Sequence, residues 1–131
     1  MAIFSHGNRS INYRIEHSPL AFDLVLLQPS RMGSDFWRPV LHDLHSDGEP
    51  SGRVLVCEWF ESGIDRETLA TDLAGMLRSL GMSSVYLVAC EDAVEVVRHM
   101  QDIEIIASRL YPQQTPRSDE LISAIRDFSQ T

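Results

Sequence analysis

The chain alternates short apolar runs with amphipathic stretches. Ser84-Val85-Tyr86-Leu87-Val88-Ala89 is a run rich in Val and Leu, the pattern of a buried strand. It gives way to Cys90-Glu91-Asp92, after which Ala93, Val96, Val97 and Met100 share one side of a helix. Strand, sharp turn and helix form the central unit. Upstream, Ile11, Tyr13 and Ile15 alternate with Asn12, Arg14 and Glu16, as on a half-buried antiparallel strand. Gly7-Asn8 between that run and Ile3-Phe4-Ser5 predicts a hairpin. Residues 22–27 and 54–57 read as further buried strands, and 103–107 as a further strand.

Phe36, Trp37, Val40, Leu41 and Leu44 recur at helical spacing, with Ser34 or Asp35 to cap and Pro39 in the first turns. Leu69, Leu73, Met76, Leu77 and Leu80 mark a second helix, capped by Asp65 and closed by Gly81. Ser118 is placed to cap a last one carrying Leu121, Ile122, Ile125 and Phe128. Segments 28–34, 46–52, 58–63 and 111–116 read as loops. A hairpin followed by alternating strands and helices predicts an α/β fold, a three-layer, mostly parallel sheet. There is no internal repeat or linker, so residues 1–131 are expected to form one domain.

Composition narrows the partners. The net charge is −8, which disfavours unspecific attraction to nucleic acid or anionic lipid. No apolar run approaches the roughly 20 residues needed to span a bilayer. The N-terminus lacks the basic start and long apolar region of a signal peptide, so a cytoplasmic protein is expected. Cys57 and Cys90 each end a predicted strand. With another strand between them they would be on the order of 10 Å apart, beyond the roughly 7 Å reach of a disulfide between Cα atoms. Both are read as reduced thiols.

The central turn resembles the nucleophile elbow of the α/β-hydrolase family, a G-x-S-x-G turn at the top of the sheet. Ala89 takes the place of the first Gly, Glu91 that of the Ser and Ala93 that of the last Gly. Leu24-Val25-Leu26-Leu27-Gln28-Pro29 is similar to the family's strand ending in His-Gly before the oxyanion loop. Residues 33–41 resemble the segment after that loop, including its Trp. Residues 53–63 are similar to the next strand and its Asp-x-x-G-x-G-x-S turn, with Glu58 near the Asp. Residues 68–81 resemble the helix feeding the elbow. Residues 122–128, with Pro112 and Pro116 upstream, are similar to the terminal segment, where Gly-His-x-Pro precedes the last helix. The resemblance implies a truncated, degenerate member with strand order 1-2-4-3-5-6. Glu91 replaces the Ser, Gln28-Pro29 the His-Gly pair, and Leu110 falls at the terminal His. The chain is about half the family's usual length, and the lid and third triad acid have no counterpart.

Acyl hydrolysis needs a nucleophile, a base within reach, a group orienting that base and an oxyanion hole. The N–H of Asp92 remains as an oxyanion donor, whereas Pro29 has no N–H to give. Glu91 is a candidate carboxylate nucleophile, as Asp is in the family's dehalogenases, and Cys90 a second candidate. Against Cys90, Glu91 and Asp92 oppose a thiolate. A hydrogen-bonded turn residue and a packing cysteine are the plain readings of the two. His42 and His45 stand at i, i+3 without a third or fourth ligand, which reads as a solvated face rather than zinc. No metal or cofactor is expected. Trp37, Trp59 and Phe60 would line a pocket or pack in the core. Gln28, Arg31, Glu58, Glu91 and Asp92, with Glu61, would gather at the carboxyl edge of the sheet, where open α/β sheets bind ligands. An acidic rim there would suit a cationic or polar ligand.

The expected function is that of a catalytically inactive, hydrolase-like interaction or regulatory module. The alternatives are a small hydrolase using Glu91 or Cys90, and a small-ligand binder. A homodimer is expected. Strand 103–107 should lie at a sheet edge with Ile103, Ile105 and Ile106 available to pack, and an apolar edge is a liability that proteins cover. The terminal helix is the other candidate surface.

Overall fold

The computed structural model describes residues 2–6, 9–45, 51–58 and 65–130. The predicted turn at Gly7-Asn8, most of the loop 46–52, and Trp59, Phe60 and Glu61 lie outside them. The strands are β1 (Ala2–His6), β2 (Arg9–Ser18), β3 (Leu24–Leu27), β4 (Gly52–Glu58), β5 (Ser84–Cys90) and β6 (Glu104–Tyr111). The helices are α1 (Arg38–His45), entered through a 3-10 turn at Ser34–Trp37, α2 (Arg66–Ser79), α3 (Ala93–His99) and α4 (Ser118–Asp127), which runs into a 3-10 turn at Phe128–Gln130. The sheet order is β1-β2-β4-β3-β5-β6, as the family resemblance implies. β2 pairs antiparallel with β1 and β4, and β3 to β6 are parallel.

Burial explains the order. All four residues of β3 are buried, because β4 and β5 flank it and helices cover both faces. One core lies under α2 and α3, where Leu69, Leu73, Met76, Leu77, Val94 and Val97 pack on Val25, Leu55 and Leu87. The other lies under α1 and α4, where Val40, Leu44, Leu121, Ile125 and Phe128 pack on Leu24, Leu26 and Val56. Among the described residues, no helix is long and apolar enough to cross a membrane. Arg9 on β2 clamps Asp72 of α2 with two hydrogen bonds of 2.6 and 3.0 Å, which compensates an otherwise isolated carboxylate buried in the first layer.

Local signals hold for α2. Asp65 accepts from the Thr68 N–H at 2.7 Å, and Gly81 at φ +72° lets the Met82 N–H return to the Leu77 carbonyl at 2.8 Å. Other expectations are corrected. Neither Ser34 nor Asp35 caps α1; both lie inside the 3-10 turn, and Glu58 receives the Ser34 N–H instead. Ser118 is the first residue of α4 rather than its cap. Gly52 is the start of β4, not loop, because β4 crosses tightly under the preceding segment: a Cβ there would sit 2.3 Å from the Leu20 carbonyl oxygen. The last strand runs 104–111, four residues beyond the predicted end, and Leu110 pairs with Ala89 within it. The terminal helix buries Leu121, Ile125 and Phe128, while Ile122 is half-buried.

Candidate functional site

The turn between β5 and α3 is left-handed at one residue, Glu91, with φ +55°. A side chain in that region costs about 1–2 kcal/mol against Cβ–carbonyl crowding, so the geometry is imposed by the surroundings. The Glu91 N–H donates to the Tyr111 carbonyl at 2.7 Å, and the Glu91 carbonyl receives the Val94 N–H at 3.1 Å. The chain thus reverses from the buried strand straight into α3. The strained strand-to-helix turn of an elbow is present with a carboxylate at its apex.

Two loops close on that carboxylate. Arg31, from the loop after β3, donates to Oε1 and Oε2 at 3.1 and 2.9 Å. Thr115, from the loop after β6, donates its hydroxyl to Oε2 at 2.5 Å. The adjacent Asp92 faces the β3 loop as well. Its carboxylate accepts the Ser30 N–H at 2.9 Å and the Ser30 hydroxyl, and Arg66 of α2 reaches it at 3.1 Å. Burial pushes the Asp92 carboxyl up, but the Ser30 donors and the Arg66 charge outweigh it and hold the group below the usual carboxylate range. The Ser30 N–H is the loop donor beyond Pro29 that points toward the elbow, and an internal carboxylate already occupies it.

The other expected site residues are placed as follows. Gln28 is fully buried, with Oε1 accepting the Trp37 indole N–H at 3.0 Å and Nε2 donating to the Cys57 carbonyl at 2.9 Å. It is therefore a packing strut beneath the loop and not a rim residue. Trp37 is equally buried, in the core under α1 and α4. Glu58 is engaged by the Ser34 N–H at 2.6 Å. Of the described members of the expected acidic rim, Glu91 pairs with Arg31 and Asp92 with Arg66, while Glu58 accepts a backbone N–H. Cys90 is buried. Burial pushes its thiol up to about 12, with the Thr115 hydroxyl pulling it down and the Glu91 charge adding to the rise. Cys57, also buried, is pushed up further by the same desolvation. Both cysteines are free thiols, and β3 separates their strands as expected.

Beside Glu91 opens a depression of about 510 Å³, lined by Arg31, Met32, Phe36, Gln114, Thr115 and Arg117 among others. No histidine among the described residues lines it. His99 faces a separate cleft with Glu67, Arg78 and Asp102, and His45 lies 3.7 Å from Glu16 on β2. Among the described residues no group of three or more His, Cys, Asp or Glu is placed to hold a metal. Sequence reasoning missed Ser30, Arg66, Thr115 and Arg117. Only the Pro112 and Pro116 bracket hinted that the Thr115 loop belongs to the site.

No family model and no curated protein matches the sequence. Solved structures do. A carboxylesterase structure from the ammonia-oxidizing thaumarchaeon Nitrososphaera gargenis superposes with a TM-score of 0.67 at 15% identity, covering 95% of this chain and 51% of its own. A haloalkane dehalogenase loop variant from Bradyrhizobium elkanii gives 0.66 at 15% identity, covering 97% and 48%. A Vigna radiata epoxide hydrolase mutant gives 0.66 at 14% identity, covering 83% and 37%. These are α/β-hydrolase-fold enzymes, and the chain shares their fold. The chain spans about half the length, or less, of the structures it matches.

Proposed function

We propose that this hydrolase-like domain carries no hydrolase activity and serves as an interaction or regulatory module. The observation that supports this reading is the state of the elbow. Its apex residue, Glu91, is a carboxylate tied on both oxygens to Arg31 and on one to Thr115. A carboxylate held in this way is a poor nucleophile, because attack would have to break charge-assisted bonds. A covalent ester on Glu91 would also need a base to deliver water, and the lining of the depression has no histidine among the described residues. The loop N–H that an oxyanion would use is filled by Asp92. The paired apex carboxylate, the occupied Ser30 N–H and a lining without histidine among the described residues support the same reading.

The test is a panel of ester, epoxide and haloalkane substrates with wild type and Glu91→Gln. The expected result is no turnover above background by either protein. Turnover by wild type that Glu91→Gln abolishes would overturn the reading. The open depression favours a second reading, that of a small-ligand binder, since Arg31 and Arg117 stand beside the apolar Met32 and Phe36. A thermal-shift screen of small polar and ionic ligands checks it: stabilisation lost in Arg31→Ala is the expected result, and no shift with any ligand counts against it.

A further inference from the structure

β6 lies at one end of the sheet and pairs only with β5 among the described residues. It carries two of the three large hydrophobics exposed among the described residues, Ile106 at 48% and Leu110 at 37%. It also carries an irregularity. Val85 pairs with Ile105 but Tyr86 pairs with Ala107, so Ile106 is an extra residue in the ladder.

The extra residue reverses the facing of everything beyond it. Ile105 packs on the core under α2 and α3, whereas Ala107 and Tyr111 pack on the core under α1 and α4. Glu104 lies opposite Ser84 and takes its hydroxyl at 2.8 Å. Arg109 lies opposite Val88, with its guanidinium 5.3 Å from the centre of the Phe128 ring. Both side chains are therefore on the α1–α4 face. In a regular strand residues five apart would point to opposite faces.

We propose that β6 pairs antiparallel with β6 of a second copy about a two-fold axis normal to the sheet, with Glu104 opposite the partner's Arg109. The same register sets Ile105 opposite the partner's Ser108. One contact then generates two cross-strand Glu–Arg pairs, and every directly opposed pair outside the bulge shares a face. Occupancy by a second copy is argued from this self-complementarity. A register centred on Ser108 would set Arg109 opposite the partner's Ala107 and leave all the charges unmatched. Pairing also removes an edge bearing exposed Ile106 and Leu110, through the commonest oligomer symmetry. The contact does not depend on whether the elbow does chemistry.

Light scattering on the eluted protein at micromolar concentration tests this. Wild type is expected at twice the 14.8 kDa chain mass. Glu104→Arg and Arg109→Glu are each expected to give the monomer mass, and the double variant to return to the dimer. A folding defect would not produce that return. A wild-type monomer overturns the proposal. So does a dimer that survives both single changes, or a double variant that stays monomeric. Where Arg109→Glu fails to fold because Phe128 loses its cover, Glu104→Arg decides alone, since its site is exposed: a persistent dimer then refutes the register.

Discussion

The Thr115 hydroxyl donates to Oε2 of Glu91 across 2.5 Å, joining the loop after β6 to the apex of the turn after β5. The two residues are 24 positions apart, and their contact closes the site where the sheet ends. Arg31 holds the same carboxylate from the opposite loop. Three connecting segments therefore meet at one backbone position that is sterically unfavourable for any residue with a Cβ.

That arrangement predicts an unusual order of stabilities at position 91. Glu91→Ala loses the contacts to Arg31 and Thr115 but keeps the left-handed backbone. Glu91→Gly loses the same contacts and is relieved of the Cβ crowding. The Gly variant is therefore expected to be more stable than the Ala variant by roughly 1 kcal/mol, the reverse of the usual ranking. Urea denaturation of the two variants measures the difference. An Ala variant equal to or better than Gly would mean that the turn relaxes and that the strain is not built in.

Gln28 carries a second prediction. Its amide is buried between the Trp37 indole N–H and the Cys57 carbonyl, and so ties the 3-10 turn before α1 to the end of β4. Gln28→Leu is close in volume and removes both partners' bonds at once. Leaving a buried donor and acceptor unsatisfied costs about 1–3 kcal/mol each before relaxation. A loss of about 2 kcal/mol or more in chemical denaturation is expected. A loss within ~0.5 kcal/mol, the range of ordinary surface changes, would show that the amide is dispensable.

The two predictions rest on residues that the sequence treats very differently. The apolar runs at 24–27, 54–57 and 84–89 are continuous because both faces are covered, so the parallel sheet is legible from pattern alone, whereas its order rests on the family resemblance. The elbow is legible too, since Cys90-Glu91-Asp92 interrupts a strand pattern and a helix pattern with no room for a longer connection. Gln28 is not. A Gln at the end of an apolar run reads as the start of a loop, and only the folded position of Trp37 makes it a buried strut. Thr115 and Ser30 are invisible for a related reason. Their partners lie 24 and 62 residues away, and local periodicity carries no information on such pairings. The strand boundary at 111 is missed because β6 is an edge strand whose outer residues alternate weakly, with Ser108 and Arg109 breaking the apolar pattern.

Acid should expose the Asp92 network. The carboxyl is held below the usual range in the fold by Ser30 and Arg66 against the cost of burial, so the folded group binds its proton less readily than the unfolded one. Its stabilising contribution is then complete above the unfolded value near pH 4 and is lost as pH falls through the lower folded value. Asp92→Asn lacks that contribution. Wild type is expected to exceed the variant in stability at pH 7, with the gap closing below about pH 4. Denaturation at constant ionic strength across that range measures it. A gap that does not change with pH would remove the Asp92 carboxylate as the cause.

The thiols give a last prediction, which also bears on whether Cys90 takes part in chemistry. A reactive cysteine needs thiolate at ambient pH and a route for the reagent. Cys90 has neither: its side chain is buried, and burial with the adjacent Glu91 charge pushes its thiol up to about 12 despite the opposing Thr115 bond. Cys57 is buried beneath the Gln28 strut and is pushed up by the same desolvation. A helix N-terminus would ordinarily lower the value at Cys90, but α3 begins beyond two acidic residues that cancel its field. Ellman's reagent at pH 8 is therefore expected to find neither thiol in the native protein and both in denaturant. The native reaction rate should follow opening of the fold, so Gln28→Leu, which loosens the packing over Cys57, should accelerate it. Rapid labelling of one thiol in native wild type, unaffected by that destabilisation, would instead mark Cys90 as an accessible nucleophile and revive the elbow as a site of covalent chemistry.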